Sequence, residues 1–492
     1  MKLNPLSAAL AALAVLAGSP WHTAQAAEQR PGLSACRLEG VEHDALCGSV
    51  RRPLDPAQPQ GRQIDVQFAV LPALARNRKP DPVFFFAGGP GQSAIALAGP
   101  VSRMLARLSN RRDIVLIDQR GTGRTAPLKC PDEKPTRPLA EIADPAFEGV
   151  RLRACLAELQ KLPYGDLRQF TTTIAMQDAD AVRVALGAEQ VDVVGGSYGT
   201  RAALEYMRQF PKAVRRAVID GVAPPDMVLP ASFSTDNQAA FDAVLAACEA
   251  EAGCKARFPN LRADWHRLLA SLPVQASVTH PMTGAVEKLT ITRPTLLGMA
   301  RGPLYGPALA AGLPQAITDA AHGHFEGLMG LGGSASPGKA GRLYEGMHFS
   351  VVCAEDLPRL AQASDAPGAD FADTFAAQYR EYCSGWPRGE VPTAFYTLPP
   401  APAATLLLSG GADPVTPPRH GERVAKALGA KARHVVVPQA GHGVMAIGCM
   451  RDVLFRFIDA ASDEDALKVD ADCARQIPRP PVFVPVTAGS AQ

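Results

Sequence analysis

Three short apolar runs end abruptly in glycine-bearing loops, and this constrains the chain more than any other feature. Val83 to Phe86 runs into Gly88-Gly89-Pro90-Gly91, Ile114 to Ile117 into Asp118-Gln119-Arg120-Gly121, and Val191 to Val194 into Gly195-Gly196-Ser197-Tyr198-Gly199. Short continuous apolar runs bounded by turn residues are the pattern of strands buried on both faces. Helix-like stretches alternate with them, IAMQDADAVRVALG before the serine loop and TRAALEYMRQFP after it. Alternation of this kind builds a parallel sheet covered on both faces by helices. Ligands of such sheets sit beyond the carboxyl ends of the strands, which is where all three loops would gather. An earlier run, IDVQFAV from Ile64, alternates apolar and polar residues like a half-buried strand.

After Ala217 to Ile219 the character changes. GVAPPDMVLPASF leads into Ala- and Leu-rich helical sequence with a glycine-rich patch at GLMGLGGSASPGKAG and few buried strands. The strand pattern returns at ATLLLSGGADPVTP and at RHVVVPQAGHG. The chain therefore divides into residues 1–26 as a leader, 27–223 as the first part of a core, 224–400 as a mainly helical cap inserted into it, and 401–492 as the second part of the core. At 492 residues, one catalytic domain with an insertion is the expected organisation. PRPPVFVPV near the end reads as an extended tail on the surface.

The leader assignment rests on Lys2, an Ala/Leu-rich run to about Gly18, and a small-x-small site at Ala24-Gln25-Ala26. The run is shorter than the ~20 residues that span a bilayer, so cleavage and export are expected, to the periplasm or the medium, without stable membrane association. Ten cysteines in an exported chain suggest disulfides. Spacing does not fix their connectivity. Pairing of neighbours (Cys36 with Cys47, Cys130 with Cys155, Cys248 with Cys254, Cys353 with Cys383, Cys449 with Cys473) closes the shortest loops and is the simplest arrangement. No CxxC pair or His/Cys cluster has metal-ligand spacing, and no dinucleotide loop occurs, so no metal or cofactor is expected. Lys and Arg total 50 against 48 Asp and Glu, interspersed along the chain, which gives no electrostatic footprint for nucleic acid.

Gly195 to Gly199 matches G-x-S-x-G, the sharp strand-to-helix turn that exposes a nucleophilic serine at the top of a sheet in the α/β-hydrolase fold. Serine needs a base within hydrogen-bond reach, and the base needs a carboxylate to orient it. Downstream, Asp413 follows the LLLS run and His442 follows the VVVPQ run, in the Ser, Asp, His order of that fold. Asp220, His420 and His434 are the rivals; Asp413 before Pro414 also reads as a plain Asx turn. Acyl transfer further requires donors for a developing oxyanion. The backbone N–H of Tyr198 and one from the GGPG loop, Gly89 in preference to Gly88, are the candidates.

Taken in order, GGPG, DQRGTGRT, GGSYGT, GADPVTP and GHG resemble the proline iminopeptidase and tripeptidyl aminopeptidase family of serine peptidases. CGSVRRPLD is similar to the secreted tripeptidyl branch, and Ala87 stands where many proline iminopeptidases carry a His before GGPG. The resemblance implies a Ser197, Asp413 and His442 triad, an oxyanion site at Gly89 and Tyr198, and a small peptide substrate cut from its free N-terminus. An aminopeptidase should meet the substrate ammonium with a carboxylate. Similarity around VVCAED implies Glu355 for that role. As aromatic residues, Phe349 and Trp386 suit a pocket wall or packing equally well. A carboxylesterase of the same fold and a non-catalytic binding protein are the alternatives.

Overall fold

The computed structural model describes residues 32–334, 341–398 and 401–484. The leader expected over residues 1–26 lies outside them. The strands are β1 (Ser34–Cys36), β2 (Ala45–Pro53), β3 (Gln63–Leu71), β4 (Val83–Phe86), β5 (Ile114–Ile117), β6 (Val191–Gly196), β7 (Val214–Asp220), β8 (Val274–Thr279), β9 (Val286–Ile291), β10 (Ala404–Gly410) and β11 (Ala432–Val437). A nine-stranded sheet runs in the order β1-β2-β3-β5-β4-β6-β7-β10-β11. Strands β2 and β3 pair antiparallel, as do β3 and β5; from β5 across to β11 every pairing is parallel.

Burial explains which sequence pattern became which strand. Every residue of β4, β5 and β10 is buried, whereas β3 alternates at its start before it passes inward. In β4, Phe84 and Phe86 join the apolar cluster on one face, with the helices Thr172–Ala185 and Tyr198–Gln209; Val83 and Phe85 join the cluster on the other, with Ala98–Met104 and Met450–Asp459. Fully burying one such phenylalanine is worth about 1.5–3 kcal/mol, so β4 fastens both helical layers to the sheet.

Between β7 and β10 the chain leaves the sheet. Helices Leu229–Ala250, Leu261–Ala270, Arg293–Leu304 and Leu313–Ala320 build a separate apolar cluster around Phe241 and Trp265, joined by the β8/β9 hairpin. The hairpin adds strands to a segment whose composition reads as helical. Helix Glu345–Glu355 behaves differently, because its Met347, Phe349, Val351 and Cys353 pack into the sheet's own cluster. Conversely Leu139 and Ala143, which precede β6, pack into the cap cluster. In the tail, the Phe483 N–H donates to Ala311 O at 3.0 Å, which holds it against the cap.

All ten cysteines are paired, Cys36–Cys47, Cys130–Cys155, Cys248–Cys254, Cys353–Cys383 and Cys449–Cys473. These are the five neighbour pairs. No described helix is long and apolar enough to cross a membrane.

Candidate active site

Ser197 stands between β6 and helix Tyr198–Gln209 with φ +56° and ψ −125°, a conformation that side chains rarely adopt. The surroundings hold it there. Its N–H donates to Asp220 O at 2.8 Å, and its carbonyl accepts from the Thr200 N–H at 2.8 Å and Thr200 Oγ1 at 2.6 Å. Gly195 and Gly199 are required by close approach. A Cβ on Gly199 would lie 2.1 Å from Phe86 O, and one on Gly195 would lie 2.3 Å from Gly199 O.

Two further loops end at the same edge. β10 delivers Asp413 and β11 delivers His442, and the loops touch so closely that a Cβ on Gly410 would lie 1.9 Å from Gly441 O. His442 Nδ1 lies 2.8 Å from Asp413 Oδ2. Asp413 Oδ1 accepts the N–H groups of Val415 and Thr416, both at 2.9 Å, and Oδ2 accepts from Thr416 Oγ1 at 2.8 Å. The Asx turn before Pro414 is therefore real, and the same carboxylate serves both the turn and the imidazole. His442 Nε2 and Ser197 Oγ, each without a hydrogen bond among the described residues, belong to residues that line one cavity of about 620 Å³. Unliganded serine and base are often poorly aligned until substrate arrives.

Charge supports this arrangement. Burial lowers the basicity of His442, but the Asp413 carboxylate and its hydrogen bond outweigh burial, so the imidazole is held above its ordinary value. Burial likewise acts to raise Asp413, and the His442 charge together with the Thr416 and Val415 N–H groups brings it below the usual carboxylate range.

The rivals are engaged elsewhere. Asp220 lines the cavity, yet its Oδ2 accepts the N–H groups of Val444 at 2.7 Å and Met445 at 2.8 Å; burial pushes it up to about 6 against those two donors. His420 Nε2 lies 2.9 Å from Asp236 Oδ2, joining cap and core, and His434 Nε2 lies 3.0 Å from Ser409 Oγ.

Gly89, at φ +114°, lines the main cavity and a small side pocket that Ser197 and Tyr198 also line. Among the described residues neither the Gly89 nor the Tyr198 N–H has an acceptor, as suits donors kept for an oxyanion.

Glu355 requires a correction. It is only 1% exposed and lines neither cavity at Ser197. Its carboxylate accepts from the Thr172 N–H at 2.7 Å and Thr172 Oγ1 at 3.0 Å and lies 3.5 Å from the Arg201 guanidinium; burial pushes it up to about 7. A carboxylate so enclosed braces the helix behind Ser197, because Thr172 Oγ1 also meets Tyr198 Oη at 2.7 Å. Phe349 and Trp386 are core residues with ring centroids 5.4 Å apart, and neither lines the cavity.

Three contributors escaped sequence reasoning. Thr416 bonds both Asp413 and His442 Nδ1, and only its place three residues after Asp413 could have pointed to it. Arg301 and Tyr305 reach the cavity from the cap, where the sequence carries no comparable motif. Among the described residues no group of His, Cys, Asp and Glu is arranged to hold a metal ion.

The α/β-hydrolase fold family matches residues 81–290, from just before β4 into β9. The TAP-like family matches residues 369–471, which carry β10, β11, Asp413 and His442. The chain has the α/β-hydrolase fold. This α/β-hydrolase is 31% identical over 194 residues to a tripeptidyl aminopeptidase of Streptomyces lividans, covering 36% of the chain and 35% of that relative. The chain thus spans about a third of that relative's length. It is 29% identical over 301 residues to serine protease Hip1 of Mycobacterium tuberculosis, 58% of the chain and 55% of the relative, and 27% identical over 434 residues to carboxylesterase B of the same species, 78% of each.

Proposed function

We propose that this α/β-hydrolase is an exported serine peptidase that cuts short peptides from a free N-terminus, through Ser197, His442 and Asp413. The observation that carries the reading is the 2.8 Å pairing of His442 with Asp413 at the rim of a cavity floored by the strained Ser197 turn. Ser197 Oγ attacks the carbonyl carbon of the scissile bond while its proton passes to His442 Nε2. The Gly89 and Tyr198 N–H groups receive the oxyanion. Collapse of the tetrahedral species expels the amine, which takes the proton from His442, and leaves an ester on Ser197. Water, deprotonated by His442, then releases the acid.

Named relatives and the TAP-like match support the peptidase and aminopeptidase parts. Five disulfides fit an oxidising compartment and support export, with residues 1–26 as the leader. A carboxylesterase is the second reading, favoured by Glu355 lying away from the cavity and by the relative of that name.

The test compares hydrolysis of Pro, Ala-Ala-Pro and N-acetyl-Ala-Ala-Pro anilides and a nitrophenyl butyrate, with Ser197→Ala as control. Cleavage of the free-amine peptides, abolished by acetylation and by Ser197→Ala, is expected. Turnover of the ester alone would establish the second reading.

A further inference from the structure

Buried arginines in this protein meet carboxylates. Arg201 lies 2.9 Å from Asp356, Arg120 lies 2.7 Å from Asp178, and Arg112 lies 2.8 Å from Asp81. Arg301, which is half-buried, has no such partner among the described residues. It projects from cap helix Arg293–Leu304 and lines the main cavity at Ser197, where it is the one Arg or Lys among the described residues; Arg201, paired with Asp356, lines only the small side pocket. Its guanidinium sits against three aromatic rings, 4.8 Å from the Phe233 centroid and 5.3 Å from those of Tyr305 and Phe375. A guanidinium has five N–H donors. Among the described residues Arg301 makes one hydrogen bond, from an Nη to Tyr305 Oη at 2.7 Å; its Nε is buried without an acceptor, and no carboxylate pairs with it.

The place is close to the chemistry. Tyr305, which Arg301 contacts, accepts the His442 N–H on its carbonyl at 2.9 Å and meets the imidazole edge-on at 5.3 Å. Aromatic walls lower the local dielectric, which strengthens a charge-assisted hydrogen bond, and the planar fork of arginine matches a carboxylate in two parallel bonds. Ring packing alone accounts for the side-chain position, but it leaves the remaining Nη donors without acceptors on a residue that lines a cavity a substrate must enter.

We propose that Arg301 is a specificity-determining residue that binds a carboxylate of the substrate beside the scissile bond. The carboxylate is either an Asp or Glu side chain on the acyl fragment or the free C-terminus of a short leaving fragment. The assignment rests on Ser197 as the nucleophile and goes beyond it, since neither the triad nor the oxyanion donors select for charge.

The experiment measures kcat/KM for two matched pairs on wild type, Arg301→Met and Arg301→Lys. Ala-Ala-Glu against Ala-Ala-Gln anilide tests the acyl side, and Ala-Ala-Pro-Ala as free acid against its C-terminal amide tests the leaving side. Wild type should favour the acid by about ten- to a hundredfold in one pair, the range of a hydrogen bond to a charged group. That pair identifies the source of the carboxylate. Arg301→Met should bring the ratio near one, and Arg301→Lys should restore part of it. No preference in either pair, or an equal fall on both members of a pair, would overturn the proposal. Labelling by a fluorophosphonate probe tests Ser197 separately. Should peptides not be turned over, calorimetric titration of glutarate into Ser197→Ala decides instead: binding that Arg301→Met abolishes supports the carboxylate site, and absence of binding removes it.

Discussion

Asp220 Oδ2 accepts the backbone N–H of Val444 at 2.7 Å, which ties the end of β7 to the loop that presents His442. Two carboxylates therefore stand near the imidazole with separate tasks. Asp413 holds the ring, and Asp220 holds the backbone behind it. Asp413→Asn should lower kcat by about 10⁴, because the ring loses its tautomer and its charge partner. Asp220→Asn keeps an oxygen for the two N–H groups and should cost no more than about tenfold. Steady-state rates on nitrophenyl butyrate compare them; equal losses would mean that Asp220 shares the acid role.

Activity should fall on acidification with a midpoint above 6.5, the ordinary histidine value, since Asp413 raises His442. His348 cannot supply that limb, because burial lowers it to about 4. Stability should move in the opposite sense. A histidine whose folded pKa is raised contributes stability that is complete below 6.5 and is lost as pH rises through the folded value. Urea midpoints of wild type, referred to His442→Gln, should therefore decline across the interval in which kcat/KM rises. A kcat/KM profile flat through neutral pH would remove His442 as the base.

Gly196 and Gly199, on either side of Ser197, should differ sharply in tolerance. A Cβ at Gly199 meets backbone at 2.1 Å, whereas one at Gly196 meets the flexible end of Met445 at 3.2 Å. Gly199→Ala should destabilise by more than about 3 kcal/mol or prevent folding, and Gly196→Ala should cost under about 1 kcal/mol. Thermal unfolding of the two variants measures the difference.

Cys353–Cys383 joins helix Glu345–Glu355 to the end of helix Thr374–Tyr382. The first of these helices also holds the Gly88-Gly89-Pro90-Gly91 loop, through the Tyr344 N–H on Gly91 O at 2.8 Å and His348 Nδ1 at 3.2 Å from Pro90 O. Replacing both cysteines by serine should cost about 2–4 kcal/mol in urea unfolding. It should also lower kcat on the ester more than replacement of Cys248 and Cys254, which lie in the cap cluster.

Apolar runs, glycine spacing and the order of serine, aspartate and histidine were readable directly, because strand burial and tight loops are local demands written in consecutive residues. VFFF, IVLI and LLLS became buried parallel strands, and the loops after them converged. Neighbouring cysteines paired across short stretches of chain, from 6 residues apart at Cys248–Cys254 to 30 at Cys353–Cys383. Glu355 shows where the local signal ends: an acidic residue beside a disulfide looks equally suited to a pocket or to the interior. Only packing against Thr172 and Arg201 decided for the interior.

By itself the sequence determined the buried strands, the G-x-S-x-G turn and the candidates for base and acid, since each is set by residues close together in the chain. Tertiary structure alone decided which cap side chains reach Ser197. Arg301 and Tyr305 come from the end of a helix and the residue just after it, about a hundred residues beyond the serine, and their approach depends on how that helix packs on the cap cluster. Helical periodicity specifies that a helix buries one face, but not which loop the opposite face will meet.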